Sequence, residues 1–251
     1  MIDYREEDSV AYLNLNNPPV NIMSGELMDH MGELIKTIAE NPELKAVAIT
    51  ASGKAFCAGA DVGEHRPAQA EAMIESFGRL FRRLDALEIP LVMAVGGAAL
   101  GAGFELVLMA DVLLATAGAK FGQPEIRLGF FAPVGVVVLP ELVGRARAMA
   151  ITCSGRTYTA VEMADLGIVS QVVPDAELDD ALEKTLADFR AASAYVLRLN
   201  TRSLKASRPE SFSDRLDRAE KVFLEDLMTA FDPVEGITAF FEKRAPRWRN
   251  A

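Results

Sequence analysis

Two carboxylates, Glu105 and Glu125, stand twenty residues apart in otherwise apolar surroundings, and their placement suits proton transfer. Glu105 sits between Phe104 and Leu106, while Glu125 follows Pro124 in Phe121-Gly122-Gln123-Pro124-Glu125, just before Gly129-Phe130-Phe131. If the two converge, desolvation and mutual repulsion would hold one protonated while the other ionises, giving an acid and a base at one pH. Each also has a plainer reading, as a helix N-terminal acid or a salt-bridge partner, and spacing alone does not show that they meet. Two segments of small residues bracket this chemistry. AVGGAALGAGFEL puts glycines between a strand and a helix, where exposed backbone N–H groups and the positive end of the helix dipole can hold an anion or oxyanion. A dinucleotide fingerprint is the rival, but Leu106 stands where G-x-G-x-x-G needs its third glycine. A tight packing turn without ligand is the plainest alternative. KAFCAGAD, residues 54–61, exposes backbone in the same way and reads by itself as a closely packed loop.

Other chemistries find little support. Cys57 lies between Phe56 and Ala58 with no cation nearby to favour a thiolate, so it reads as a buried structural thiol. Cys153 is the only other cysteine, and His30 and His65 are the only histidines, which leaves no disulfide framework and no zinc site. The chain has no G-x-S-x-G elbow, and both histidines read as surface residues outside any triad context. A formal charge of −10 repels nucleic acid and anionic membrane. The acidic MIDYREEDSV start is unlike a signal or transit peptide, and no apolar run approaches the roughly 18 residues of a membrane span. The expectation is a cytoplasmic protein in a reducing compartment.

The elements that must position these residues alternate between strand and helix. Val10–Leu15, Ala46–Ala51, Leu91–Val95, Val112–Thr116 and Ile168–Val173 read as strands. Ser24 caps a predicted helix whose Leu27, Met28, Met31, Leu34, Ile35 and Ile38 share a face, and 71–87 repeats that spacing. Further short helices are predicted at about 101–110, 144–153 and 159–166, and Glu105 falls in the first turn of the first of these. Beyond Pro174 the segments are long, charged and helical, so an α-helical tail follows an α/β body.

The three motifs KAFCAGAD, AVGGAALGAGFEL and FGQPE, in this order and spacing, resemble those of the crotonase superfamily, the enoyl-CoA hydratase/isomerase family. The opening NNPPVNIMS and the closing EGITAFFEKRAPRW are similar to that family's two ends. The resemblance implies an α/β fold: a crotonase-like β/α spiral over 1–190, with a helical C-terminal oligomerisation region over 191–251 that builds homotrimers or homohexamers. It implies that the backbone N–H groups of Ala60 and Ala102 hold a thioester oxygen, that Glu105 activates water, and that protonated Glu125 delivers a proton to Cα. Val20, Ala58, Ala60, Asp61 and Val62 match segments that line coenzyme A, while Phe240 and Lys243 match residues that reach it from an adjacent subunit. Coenzyme A belongs to the substrate, and neither a separate cofactor nor a metal is implied. Two acids favour a hydratase; an isomerase of the same fold and a non-catalytic acyl-CoA-binding protein are the alternatives.

Three departures from the family pattern bear on the expectation. No lysine follows Asp61 at Gly63, Ala102 stands where the family has glycine, and a bulky segment from Phe130 to Leu139 replaces a glycine-rich loop. That segment reads as a stiff apolar pocket wall suited to a compact acyl group, such as an alicyclic ring of the cyclic-dienoyl-CoA type.

Overall fold

A computed structural model of the chain describes residues 1–250. Its framework is a six-stranded sheet with the order β1-β2-β3-β5-β7-β10, formed by β1 (Ile2–Glu7), β2 (Val10–Leu15), β3 (Ala46–Ala51), β5 (Leu91–Val95), β7 (Val112–Thr116) and β10 (Gln171–Val173). β1 and β2 are antiparallel, and the remaining neighbours are parallel. A second sheet orders β4 (Ala55–Cys57), β6 (Ala98–Leu100), β8 (Lys120–Gly122) and β9 (Thr157–Thr159) side by side. Each pass of the chain therefore leaves one strand in each sheet before a helix: β3-β4 precede α2 (Pro67–Ala86), β5-β6 precede α3 (Ala102–Leu108), and β7-β8 precede α4 (Pro133–Val143). The recurring unit is β-β-α, wound as a spiral, where the sequence shows only a β–α alternation.

Alternation along β2 explains why the large sheet is covered on both faces. Ala11, Leu13 and Leu15 enter the main core with Met28, Met31 and Ile35 of α1 (Gly25–Glu40), and Ser24 caps that helix by accepting the Leu27 N–H at 3.3 Å. Val10 and Tyr12 face the other way, against Leu182 and Leu186 of α7 (Leu178–Arg190). Between β8 and α7 run α5 (Arg145–Ser154) and α6 (Ala160–Asp165). The predicted strand 168–173 shrinks to β10, and the N-terminal β1, absent from the sequence reading, adds an antiparallel edge.

After α7 the chain is helical: α8 (Ala194–Ala206), α9 (Phe212–Lys221), a wide turn of helix over Val222–Leu227, and α10 (Phe231–Phe241). These helices fold back on their own body. Phe212 and Leu216 of α9 and Phe223 of the wide turn join the main core, and Phe223 is 2 % exposed. Apolar spacing in the predicted helical tail suggests a face of Val222, Phe223, Leu227, Phe240 and Phe241 toward neighbouring subunits; burial removes Phe223 from such a face, whereas Val222, Phe240 and Phe241 stay about half exposed. The segment 130–139 also departs from its reading as a pocket wall. Pro133 begins α4, and Val134, Val137, Val138 and Leu139 are buried in the core, so the valine run is a packed helix and not a loop wall. Among the described residues no helix is long and apolar enough to cross a membrane.

Candidate active site

The two glycine-bearing turns meet. Gly59 and Gly101 have φ values of +122° and +54°, and a Cβ built on Gly101 would lie 3.7 Å from Gly59 Cα. Positive φ at these two positions turns the chain sharply before Ala60 and Ala102, which side chains larger than hydrogen would resist. Ala60 pairs with Met23 in a parallel bridge, in which Met23 N–H donates to Gly59 O at 2.9 Å and Asp61 N–H donates to Met23 O at 3.3 Å. That register leaves the Ala60 N–H directed away from the bridge. Ala102 is the first residue of α3, so its N–H is one of the unpaired donors of a helix start. Ala102 is itself helical; the left-handed requirement falls on Gly101, and the alanine is accommodated without backbone strain.

The segment around Val20 is pinned by a residue that the sequence reading missed. Asn21 is fully buried with φ +54°, and its amide donates to Ser52 O at 2.8 Å and Ala55 O at 2.9 Å while its Oδ1 accepts the Asn17 N–H. The neighbouring Val20 carbonyl then accepts the Ala58 N–H at 3.0 Å. The Asp61 carboxylate accepts the Gly63 N–H at 2.7 Å and starts a short helical turn, Val62–His65.

Ala58, Ala60, Val62, Ala102, Glu105 and Glu125 all line one cavity of about 110 Å³. Glu105 is 3 % exposed, and its Oε1 accepts the N–H groups of Val134 and Gly135 at 2.8 and 3.0 Å, the second and third positions of α4. The start of α4 thus supports a negative charge there, opposing the upward pull of burial on the Glu105 pKa. Glu125 touches cavity space yet has protein on nearly every side; desolvation first and the nearby Glu105 charge second push its carboxyl well above the usual range. Both carboxyls are raised by burial, and Glu125 is raised further by its neighbour's charge, so a proton shared by the pair rests more on Glu125.

Gln123, 1 % exposed, lies against Glu125. With its nitrogen turned inward, the amide donates to Glu125 Oε1 at 2.5 Å and Oε2 at 3.2 Å; turned the other way, its oxygen accepts the proton of the acid form. Gln123 lies within the FGQPE motif, though only the glutamate there was expected to act.

Aromatic rings line one part of the cavity. Phe130 and Phe131 pack against Phe223 with centroids 5.9 and 5.6 Å away, and the His65 ring stands edge-on to Phe130 at 5.1 Å. His65 therefore belongs to the cavity wall, not to the surface as expected, because the turn after Asp61 points it inward; His30 is exposed as expected. Cys57 is buried, and burial pushes its thiol up to about 11, in keeping with an inert thiol. Phe240 and Lys243, at and just beyond the end of α10, lie outside this cavity. Arg244 is engaged with Glu235 and Glu242.

The raised carboxyl of Glu125 has a stability signature. The folded chain retains a proton that the unfolded chain releases near the ordinary carboxylate value, so stability falls as pH rises from there toward the folded value, and the full cost is felt above it. Glu125→Gln should melt near the unaltered protein at pH 5 and at a higher temperature by pH 9. A pH-independent difference in Tm would contradict the assigned direction.

The sequence profile of the enoyl-CoA hydratase/isomerase family matches residues 5–251. The chain belongs to that family. Its spiral and C-terminal helices match the crotonase fold of solved relatives: the carnitinyl-CoA hydratase of Mycobacterium avium superposes with a TM-score of 0.89 at 28 % identity, covering 100 % of this chain and 98 % of that one. The chain is 35 % identical to the cyclohexa-1,5-dienecarbonyl-CoA hydratase of Thauera aromatica over 97 % of its length and 94 % of the relative's. It is also 35 % identical to a probable enoyl-CoA hydratase of Mycobacterium tuberculosis, over 97 % and 96 % of the two chains. By class this member of the family is an enoyl-CoA hydratase-like lyase.

Proposed function

We propose that the protein adds water to the double bond of a compact, ring-shaped unsaturated acyl-CoA. The observation that carries this reading is the meeting of two glutamates and two free backbone N–H groups in one cavity lined by aromatic rings. In the proposed reaction the thioester oxygen accepts hydrogen bonds from Ala60 and Ala102 N–H, which draws electron density from the conjugated double bond. The Glu105 carboxylate removes a proton from water as its oxygen bonds to the electron-poor carbon, and an enolate forms at the thioester. Glu125 then gives its proton to Cα, and the site is reset when the proton gained by Glu105 returns to Glu125. Each proton transfer contributes roughly 10²–10⁴-fold in rate. Developing charge at the oxygen meets donors already in place, an arrangement whose loss costs roughly 2.7–4 kcal/mol per donor in comparable sites.

Cavity size favours the ring. A volume of about 110 Å³ is on the scale of the roughly 150 Å³ apolar cavity known to take up benzene. Identity does not separate the substrates, since ring-diene and general enoyl-CoA relatives match equally at 35 %. The coenzyme A portion is proposed to run past Val20, Ala58, Asp61 and Val62, with Phe240 and Lys243 contributed by an adjacent copy in a trimer or hexamer, which light scattering at micromolar concentration tests. For the acyl group the deciding comparison is kcat/KM for crotonyl-CoA, a long-chain enoyl-CoA and cyclohexa-1,5-dienecarbonyl-CoA. The ring should be preferred by at least about tenfold, and a clear preference for either linear substrate would defeat the ring reading.

A further inference from the structure

Among the described residues, three side chains bring oxygen or nitrogen to the cavity: Glu105, Glu125 and His65. The glutamates have roles in the proposed reaction; His65 has none. Its Nδ1 lies 2.9 Å from the Asp61 carbonyl oxygen, which can only accept, so that nitrogen carries the ring proton. A neutral ring with Nδ1 protonated presents a lone pair at Nε2, and no hydrogen bond from another described residue reaches that nitrogen. Burial lowers the His65 pKa and keeps the ring neutral. Phe130, edge-on at 5.1 Å, and Phe223 at 6.5 Å, both on the cavity wall, pack against the imidazole. An acceptor at the wall of an apolar cavity favours a ligand that carries a donor over one that would cover it without pairing it.

We propose that His65 sets the acyl specificity of this enzyme, its Nε2 accepting a hydrogen bond from a hydroxyl on the acyl group, away from the carbons that Glu105 and Glu125 handle. The ligand class is a compact cyclic acyl-CoA that carries a ring hydroxyl. This deepens the functional reading above and rests on its assignment of the cavity to the acyl group. A plain hydrocarbon ring leaves Nε2 unpaired, whereas a hydroxylated one satisfies it, a difference of about tenfold in affinity.

The test uses saturated rings, which cannot be hydrated: cyclohexanecarbonyl-CoA and its 3- and 4-hydroxy derivatives, titrated calorimetrically against the full chain. Unaltered protein should bind one of the hydroxylated rings about tenfold more tightly than the plain ring. His65→Phe should abolish that preference, and His65→Gln, which keeps an acceptor, should retain part of it; thermal melts show that each variant is folded, and His65→Leu replaces His65→Phe if the latter is not. Equal affinity for all three rings, failure of every ring to bind, or a preference that survives loss of the acceptor would overturn the proposal. Because no turnover is involved, a protein that shows the preference but hydrates no diene would fail the functional reading alone. One that hydrates a plain ring diene and shows no preference would fail this proposal alone.

Discussion

Glu105→Gln and Glu125→Gln are each expected to lower kcat for hydration by about 10²–10⁴-fold while leaving the fold intact. Glutamine at 105 still offers an oxygen to the Val134 and Gly135 N–H groups, so the start of α4 stays anchored; what is lost is the charge that removes a proton from water. Glutamine at 125 is close in shape to the neutral carboxyl that burial favours there, but it has no proton to deliver to carbon. Substrate affinity should therefore change little in either variant. Since both groups act on one water and one enolate, the double variant should cost far less in free energy than the sum of the single ones. Steady-state kinetics on the four proteins checks this. Near-normal turnover by either single variant would remove that residue from the mechanism and favour a one-acid isomerase.

Gly101→Ala should be nearly as damaging to rate, for a different reason. Space is available, because the new Cβ would stand 3.6 Å from Glu125 Oε2. The backbone is the obstacle: φ +54° and ψ −127° is a conformation that a residue with a side chain adopts at a cost of about 1–3 kcal/mol. Relief of that strain rotates the peptide that carries the Ala102 N–H, one of the two donors assigned to the thioester oxygen. We expect kcat to fall about 100-fold with a modest loss of Tm. A variant that loses thermal stability but keeps full kcat would show that the Ala102 N–H is not used in the reaction.

The long elements were legible because their periods are. Val10–Leu15, Ala46–Ala51, Leu91–Val95 and Val112–Thr116 occur as the alternation and apolar runs indicate, and Ser24 caps its helix. The second sheet was hidden because Ala55–Cys57, Ala98–Leu100 and Lys120–Gly122 are three residues each, too short for a period and rich in small side chains. The role of α4 was hidden by its composition. Its exposed positions are mostly apolar, Val136, Pro140 and Leu142 beside Glu141, so no polar stripe marks the helix and its valines read as a wall, although Pro133 at its first turn and the αL Gly129 before it were usable signals. At the site, residue types located the glutamates but not their meeting, which depends on β6 and β8 lying side by side and so aligning the turns that follow. His65 was misplaced for a related reason. Its neighbours in sequence are polar, whereas its neighbours in space are Phe130 and Phe223, which lie far along the chain. Asn21 carried a readable clue as an Asn after Pro-Pro-Val, where a left-handed residue suits a turn, but its three hydrogen bonds are long-range or loop contacts that no local pattern encodes.

The central claim is that this cavity adds water to an unsaturated acyl-CoA, and mass spectrometry of the thioester after incubation in ¹⁸O-labelled water tests it most directly. With cyclohexa-1,5-dienecarbonyl-CoA and the unaltered protein, the product should gain one water bearing the label, and Glu105→Gln should suppress that gain. Recovery of thioester of unchanged mass with a shifted double bond, or of untouched substrate, would contradict the account.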